Sequence, residues 1–206
     1  MINPHQASSA SDVELVKLSL SDQDNFLYLV NRYQGRLLSY IRRLTNIKPE
    51  DAEDILQEVF IKVYLNLNDF KEDLKFSSWI YRIAHNQVIS NYRKLKARPE
   101  GYLLPLEDWA TANLAAELDI AADLDKRLLR ENIMKVLAAL DVKYREILIL
   151  KFLEEKSYQE ISDILRKPAG TIASLIFKAK EEFRREMRGQ GNIVQEDQER
   201  LAGAKN

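Results

Sequence analysis

The stretch Ser157–Phe183, SYQEISDILRKPAGTIASLIFKAKEEF, decides how the rest of the chain is read. Ser157 followed three residues later by Glu160 has the form of a capping box, in which the two residues satisfy each other's free backbone N–H groups at a helix start. Ile161, Ile164 and Leu165 follow at helical spacing and predict a buried side. The run RKPAGT interrupts that pattern, and Pro168 suits the first turn of a new helix. Ile172, Leu175 or Ile176, Ala179 and Phe183 give this second helix an inward face, with an end expected near Gly189. Two helices joined by a tight turn, the second longer and more basic, form a helix-turn-helix, which sets its second helix into a major groove.

Upstream, Leu124, Leu128, Ile133, Val136, Leu137 and Leu140 mark one helix, and Tyr144, Ile147, Leu148 and Phe152 another. Earlier still, Asp12 or Ser21 can cap short segments. Phe26, Leu29, Val30, Tyr33, Leu37, Tyr40, Ile41 and Leu44 then trace one face of a long helix, which TNIKPED breaks at Pro49. A second stripe runs from Ala52 through Ile55, Val59 and Val63 to Leu67, the segment NLNDFKEDLK reads as a loop, and Trp79, Ile80, Ile83, Ala84, Val88 and Ile89 line a third helix. The expected fold is all-α: two small helical domains, residues 12–96 and 124–187, joined by a linker at 97–123, the C-terminal one a four-helix helix-turn-helix domain. Residues 1–11 and 188–206 are expected to be disordered. Leu103, Leu104, Leu106 and Trp109 are apolar for a free tether, so the linker packs either on its own domains, the preferred reading, or in a partner's groove.

Composition narrows the chemistry. The 206 residues suffice for one large domain or two small ones. With Cys at 0, disulfides, thiolate metal sites and cysteine nucleophiles are excluded, and His5 and His85 are too far apart for a local metal pair. The start MINPHQASSASD lacks a basic segment followed by an apolar run, and no stretch approaches the roughly 18 apolar residues of a membrane span. A cytoplasmic protein with no cofactor, no metal and no catalytic residue is the expectation.

The formal net charge is only -1, yet Lys75–Pro99, KFSSWIYRIAHNQVISNYRKLKARP, holds three Arg, three Lys and one His without a single carboxylate. Arg82, His85, Arg93, Lys94, Lys96 and Arg98 can follow a phosphate backbone, and removing acids avoids repelling it. Phe76, Trp79 and Tyr81 can stack on unpaired bases, although for any single aromatic a core position is the preferred reading. In KPEDAEDILQEVFIKVY, acids at 51, 54 and 58 share one helical edge and suit docking to a basic partner, while also complementing the helix dipole.

In order, DAEDILQEVFIKVY, FSSWIYRIAHNQVISNYRK and LAALDVKYREILILKFLEEKSYQEISDILRKPAGTIASLIFKAKEEF make the chain resemble a bacterial extracytoplasmic-function (ECF) RNA polymerase sigma factor across roughly residues 12–187. The resemblance implies that Asp51, Asp54, Ile55, Gln57 and Glu58 meet the clamp helices of the RNA polymerase core. It implies that Phe70, Lys75 and Phe76 capture a flipped base of the non-template strand. Trp79, Arg82, Asn86, Asn91, Arg93 and Lys94 would hold the melted minus-ten strand. Lys167, Thr171, Ser174, Phe177 and Lys178 would read the minus-thirty-five element in duplex promoter DNA, and an anti-sigma factor is the implied regulator. The chain departs from the family at Ala173 and Leu175, where basic residues are common, and at Arg166, where Gly is common. Each missing base-directed Arg removes about 1–3 kcal/mol of discrimination, so minus-thirty-five reading is expected to be weak, altered or shared with another partner. Two alternatives remain at this point: a helix-turn-helix regulator acting without polymerase, and an inactive paralogue that titrates partners.

Overall fold

The computed structural model of the chain describes the backbone of residues 4–45, 47–96 and 124–203, and side chains within 7–45, 47–91 and 129–189. Among the described residues there are nine α-helices and no strand: α1 (Pro4–Ser9), α2 (Asp12–Ser21), α3 (Phe26–Leu44), α4 (Pro49–Leu65), α5 (Phe76–Lys96), α6 (Leu124–Ala139), α7 (Val142–Leu148), α8 (Tyr158–Leu165) and α9 (Ala169–Gly203). The all-α expectation holds. The linker at 97–123, with its apolar residues, lies outside the described residues.

Local chemistry sets the boundaries. The cap of α2 is Ser11, not Asp12 or Ser21: its hydroxyl accepts from the Glu14 N–H at 3.2 Å, and Glu14 returns the bond to the Ser11 N–H at 2.7 Å. Asp12 sits inside the first turn, where it takes Arg32 at 2.8 Å and the Tyr33 hydroxyl at 2.6 Å. Pro49 opens α4, where its missing N–H costs nothing. Ser157 and Glu160 form the predicted capping box of α8.

Three expectations need correction. Residues 1–11 are not simply disordered, because α1 forms there, Ala7 is buried, and Arg32 ties down the Ala7 and Ala10 carbonyls at 2.9 and 2.8 Å. Nor does the last helix stop near Gly189: α9 runs on to Gly203 through the tail expected to be disordered. Single glycines cost only about 1 kcal/mol each, which flanking helix formers can offset. Finally, Phe152 is half exposed rather than buried, because Ile149–Leu153 widens into a π-helical turn that rotates it outward, with Lys180 Nζ 5.1 Å from its ring.

The core is continuous. Leu15, Leu29, Leu37, Ile41, Val59 and Ile80 fill the N-terminal unit, and Leu137, Ile147, Leu150, Ile161, Ile172 and Ile176 fill the C-terminal one. Burying each such side chain contributes about 1.5–3 kcal/mol. The two units meet where α8 lies along α5, and where α7 meets the end of α3. There the Arg145 guanidinium gathers carbonyls at two helix ends, Leu137 at 3.0 Å in the last turn of α6, Leu140 at 3.1 Å just after it, and Leu44 at 3.2 Å on α3. A cation suits this place, since helix C-termini present unpaired carbonyls and partial negative charge.

Candidate nucleic-acid and polymerase interface

The outer edge of α4 exposes Asp54, Gln57 and Glu58, with Asp51 half-exposed in its first turn. Ile55, grouped with them from the sequence, is 5% exposed and anchors α4 in the core, so it is not a docking contact. Glu58 accepts from Gln87, whose carbonyl oxygen accepts in turn from Lys62, so α5 fixes one end of the acidic edge.

Between α4 and α5, a short 3-10 turn at Leu67–Asp69 delivers Phe70 half-buried to the head of α5. Its ring stands edge-on to Phe76 at 5.3 Å and tilted to Trp79 at 5.7 Å. Phe76 is 2% exposed and Trp79 9%, so both are floor residues of this aromatic cluster rather than strand contacts. Phe76 also stands edge-on to Tyr33, which shows how core packing claimed it. Tyr81, 1% exposed, is likewise core.

Two basic residues at the start of this segment, Lys75 just before α5 and Arg82 on it, meet the C-terminal unit. Lys75 Nζ meets Glu160 Oε1 at 3.3 Å, and Arg82 Nε donates to the Asp163 carbonyl at 2.7 Å. Burial, followed by the nearby Arg166 charge, pulls the Arg82 pKa down. Glu160 is held below the ordinary carboxylate value: burial raises it, but hydrogen bonds from Ser157 and the Lys75 ammonium outweigh that. Asn86 is exposed and Asn91 half-buried, whereas the side chains of Arg93 and Lys94 lie outside the described residues, on the C-terminal end of α5.

In the helix-turn-helix, Arg166 takes the left-handed conformation, φ 52° and ψ 47°, at the C-terminus of α8. The turn normally given to glycine is therefore kept, at a strain of roughly 1–2 kcal/mol. Lys167, Thr171, Ser174, Phe177 and Lys178 are all exposed. Ile172, Ile176 and Ala179 point inward, and Leu175 is half-buried against the core. Ser174 Oγ donates to the Gly170 carbonyl at 3.0 Å.

The sequence reading missed the carboxylates that join the two units. Glu154 Oε2 accepts the Tyr81 hydroxyl at 2.5 Å while its Oε1 takes Arg43 at 3.0 Å, and Glu146 faces His85 and the Tyr40 hydroxyl. The one available signal was Glu146 lying within the apolar helix YREILIL, where an unpartnered carboxylate is costly. Among the described residues, no group of three or more His, Asp or Glu could hold a metal, and no helix is long and apolar enough to cross a membrane.

Comparison with known proteins places this geometry. Residues 29–98 match the family model Sigma-70 region 2, and residues 130–183 match Sigma-70, region 4. The chain is 37% identical over 176 residues to the ECF RNA polymerase sigma factor SigW of Bacillus subtilis (strain 168), covering 81% of this chain and 91% of that one. It is 32% identical over 170 residues to the ECF RNA polymerase sigma-E factor of Escherichia coli (strain K12), covering 80% and 87%. Its fold is similar to that of CnrH in complex with the cytosolic domain of CnrY, with a TM-score of 0.64, 22% identity, and coverage of 87% and 99%. It is also similar to the sigma factor RpoE in complex with the anti-sigma factor NepR from Bartonella quintana, with a TM-score of 0.62, 21% identity, and coverage of 80% and 97%. Those two share the fold; the curated relatives, aligned through both regions in the same order, carry the assignment. A regulator working without polymerase is not favoured, and the chain belongs to the ECF family of RNA polymerase sigma factors, transcription initiation factors rather than enzymes.

Proposed function

We propose that residues 12–96 and 124–187 divide the task of a sigma factor, the first docking on core polymerase and opening the minus-ten region, the second engaging the minus-thirty-five element. The observation that carries this reading is that α4 presents an exposed acidic edge while the turn after it brings a half-buried Phe70 to the head of a basic helix. Asp51, Asp54, Gln57 and Glu58 face a basic surface on the polymerase, where complementary charge speeds encounter and fixes register. Phe70 and Lys75 take the extruded base and its phosphate, and Arg82, Asn86, Asn91, Arg93 and Lys94 hold the strand beyond it. Unstacking costs a few kcal/mol, which capture of the base repays without ATP.

Lys167 and Lys178 position α9 on phosphates, and Thr171, Ser174 and Phe177 meet base edges. Exposed Ala173 brings no donor to the groove, which favours shape and apolar contact over bidentate hydrogen bonds. The protein acts in the cytoplasm, and an anti-sigma factor is its regulator; the fold shared with the sigma factor RpoE in complex with the anti-sigma factor NepR supports that partner.

Permanganate probing of unpaired thymines tests the opening step. With core polymerase and promoter DNA, wild type makes minus-ten thymines reactive, and Phe70→Ala loses most of that reactivity while still binding core. Equal reactivity in the two proteins would sink the assigned role of Phe70.

A further inference from the structure

A polar cavity of about 330 Å³ opens between α3, α5 and the turn that follows the π-helical segment. Arg36, Ser39 and Arg43 line it from α3, Tyr81 from α5, and Glu154, Glu155 and Lys156 from the turn. The turn is a fixed mount. Glu155 takes φ 53°, and on either side of it the Glu154 N–H donates to the Ile149 carbonyl and the Lys156 N–H to the Leu150 carbonyl, both at 2.9 Å. A left-handed conformation is strained for any residue but glycine, and strain of this kind clusters at ligand sites.

The charges around this cavity are unequally matched. Glu154 is already held, by Arg43 at 3.0 Å and by the Tyr81 hydroxyl at 2.5 Å. Lys156 is only 8% exposed, yet among the described residues its ammonium forms no ion pair or hydrogen bond, and it lies 4.2 Å from the centre of the Tyr81 ring. Arg36, exposed at the same cavity, has no such partner among the described residues either. Burial pulls the Lys156 pKa down, Glu160 and Glu154 counter it only in part, and the Arg36 charge adds to the lowering. A buried cation facing a second cation is costly until an anion joins them.

We propose that this cavity binds a small phosphate dianion, free or carried on a metabolite, with the Arg36 guanidinium and the Lys156 ammonium as its counter-charges. The guanidinium fork matches two phosphate oxygens, and the ammonium acts as a point charge on a third. Glu155, exposed and screened by solvent, opposes the anion weakly. Because α3 and the turn belong to different units, the anion binds only where the two are packed and stabilises that arrangement by mass action. The site uses none of the residues assigned to polymerase or DNA.

Isothermal titration calorimetry of the full chain at constant ionic strength, with chloride replacing phosphate, tests this with two probes, inorganic phosphate and adenosine 5′-monophosphate. Wild type should show one site with a Kd below about 1 mM. Arg36→Gln, an exposed change, should bind about tenfold more weakly or worse, as should Lys156→Met, which keeps the buried stem. Arg188→Gln, which removes an exposed cation outside the cavity, should bind as wild type does. Tighter binding of the nucleotide would identify its phosphoryl group as the ligand, and equal or weaker binding would identify free phosphate. In either case saturating phosphate should raise the urea midpoint of wild type more than that of Arg36→Gln. No saturable binding of either probe, or equal binding by wild type and Arg36→Gln, overturns the proposal.

Discussion

Tyr81 on α5 donates its hydroxyl to Glu154, which follows α7, across 2.5 Å, so a phenol of the N-terminal unit is bonded to a carboxylate of the C-terminal one. Arg43 shares that carboxylate at 3.0 Å. Glu154→Gln keeps the shape but removes the charge, leaving Arg43 and Tyr81 with a poorer acceptor. The expected loss is about 1–3 kcal/mol of stability. In a double-mutant cycle with Tyr81→Phe, urea unfolding should give a coupling energy of roughly 0.5–3 kcal/mol. Strict additivity would show that the bond contributes nothing.

The same tyrosines give the contact an alkaline limit. Burial first, then the facing carboxylates, push the Tyr40 and Tyr81 phenols well above their ordinary value of 10.0. A folded-state pKa raised in this way contributes stability that is fully present below pH about 10 and lost as pH rises beyond it. Phenolate absorbance should therefore show these two, together with the similarly buried Tyr33, ionising only as the structure opens. Simple titration of all nine tyrosines near pH 10 would contradict the packing.

The proposed docking through α4 should be separable from folding. Asp54 and Gln57 are exposed, so Asp54→Lys and Gln57→Ala should change stability by no more than about 0.5 kcal/mol. Asp54→Lys should weaken core-polymerase binding about tenfold and flatten its salt dependence, as measured with fluorescently labelled protein. Unchanged affinity would move the docking face elsewhere.

Arg166 carries backbone strain that glycine does not share. With φ at 52°, Arg166→Gly should raise stability by about 1 kcal/mol, read as a higher urea midpoint. No rise would mean that the arginine side chain compensates locally.

Much of this was legible in the sequence. The helices follow from apolar spacing, and the turn from the Ser157/Glu160 box and Pro168, because these are local signals within one or two helical turns. The acidic edge of α4 and the exposed face of α9 were also readable, since periodicity fixes which side chains share a face. What failed depends on long-range packing. Ile55, Phe76 and Trp79 lie next to the proposed contact residues in sequence, yet the core claims them, because large apolar side chains gain most from burial. Likewise, nothing local shows that Glu160 pairs with Lys75, 85 residues away, or Glu154 with Tyr81, 73 residues away. The π-helical turn that exposes Phe152 also escaped detection, since one extra residue per turn breaks the 3.6-residue rule used to find it.

The most direct test of the account is transcription by purified core polymerase over a randomised promoter library, with and without this protein, followed by sequencing of transcript starts. The account predicts starts that appear only with the protein and share a minus-ten motif, with a minus-thirty-five motif of low information content. Binding to core without any protein-dependent starts would contradict it.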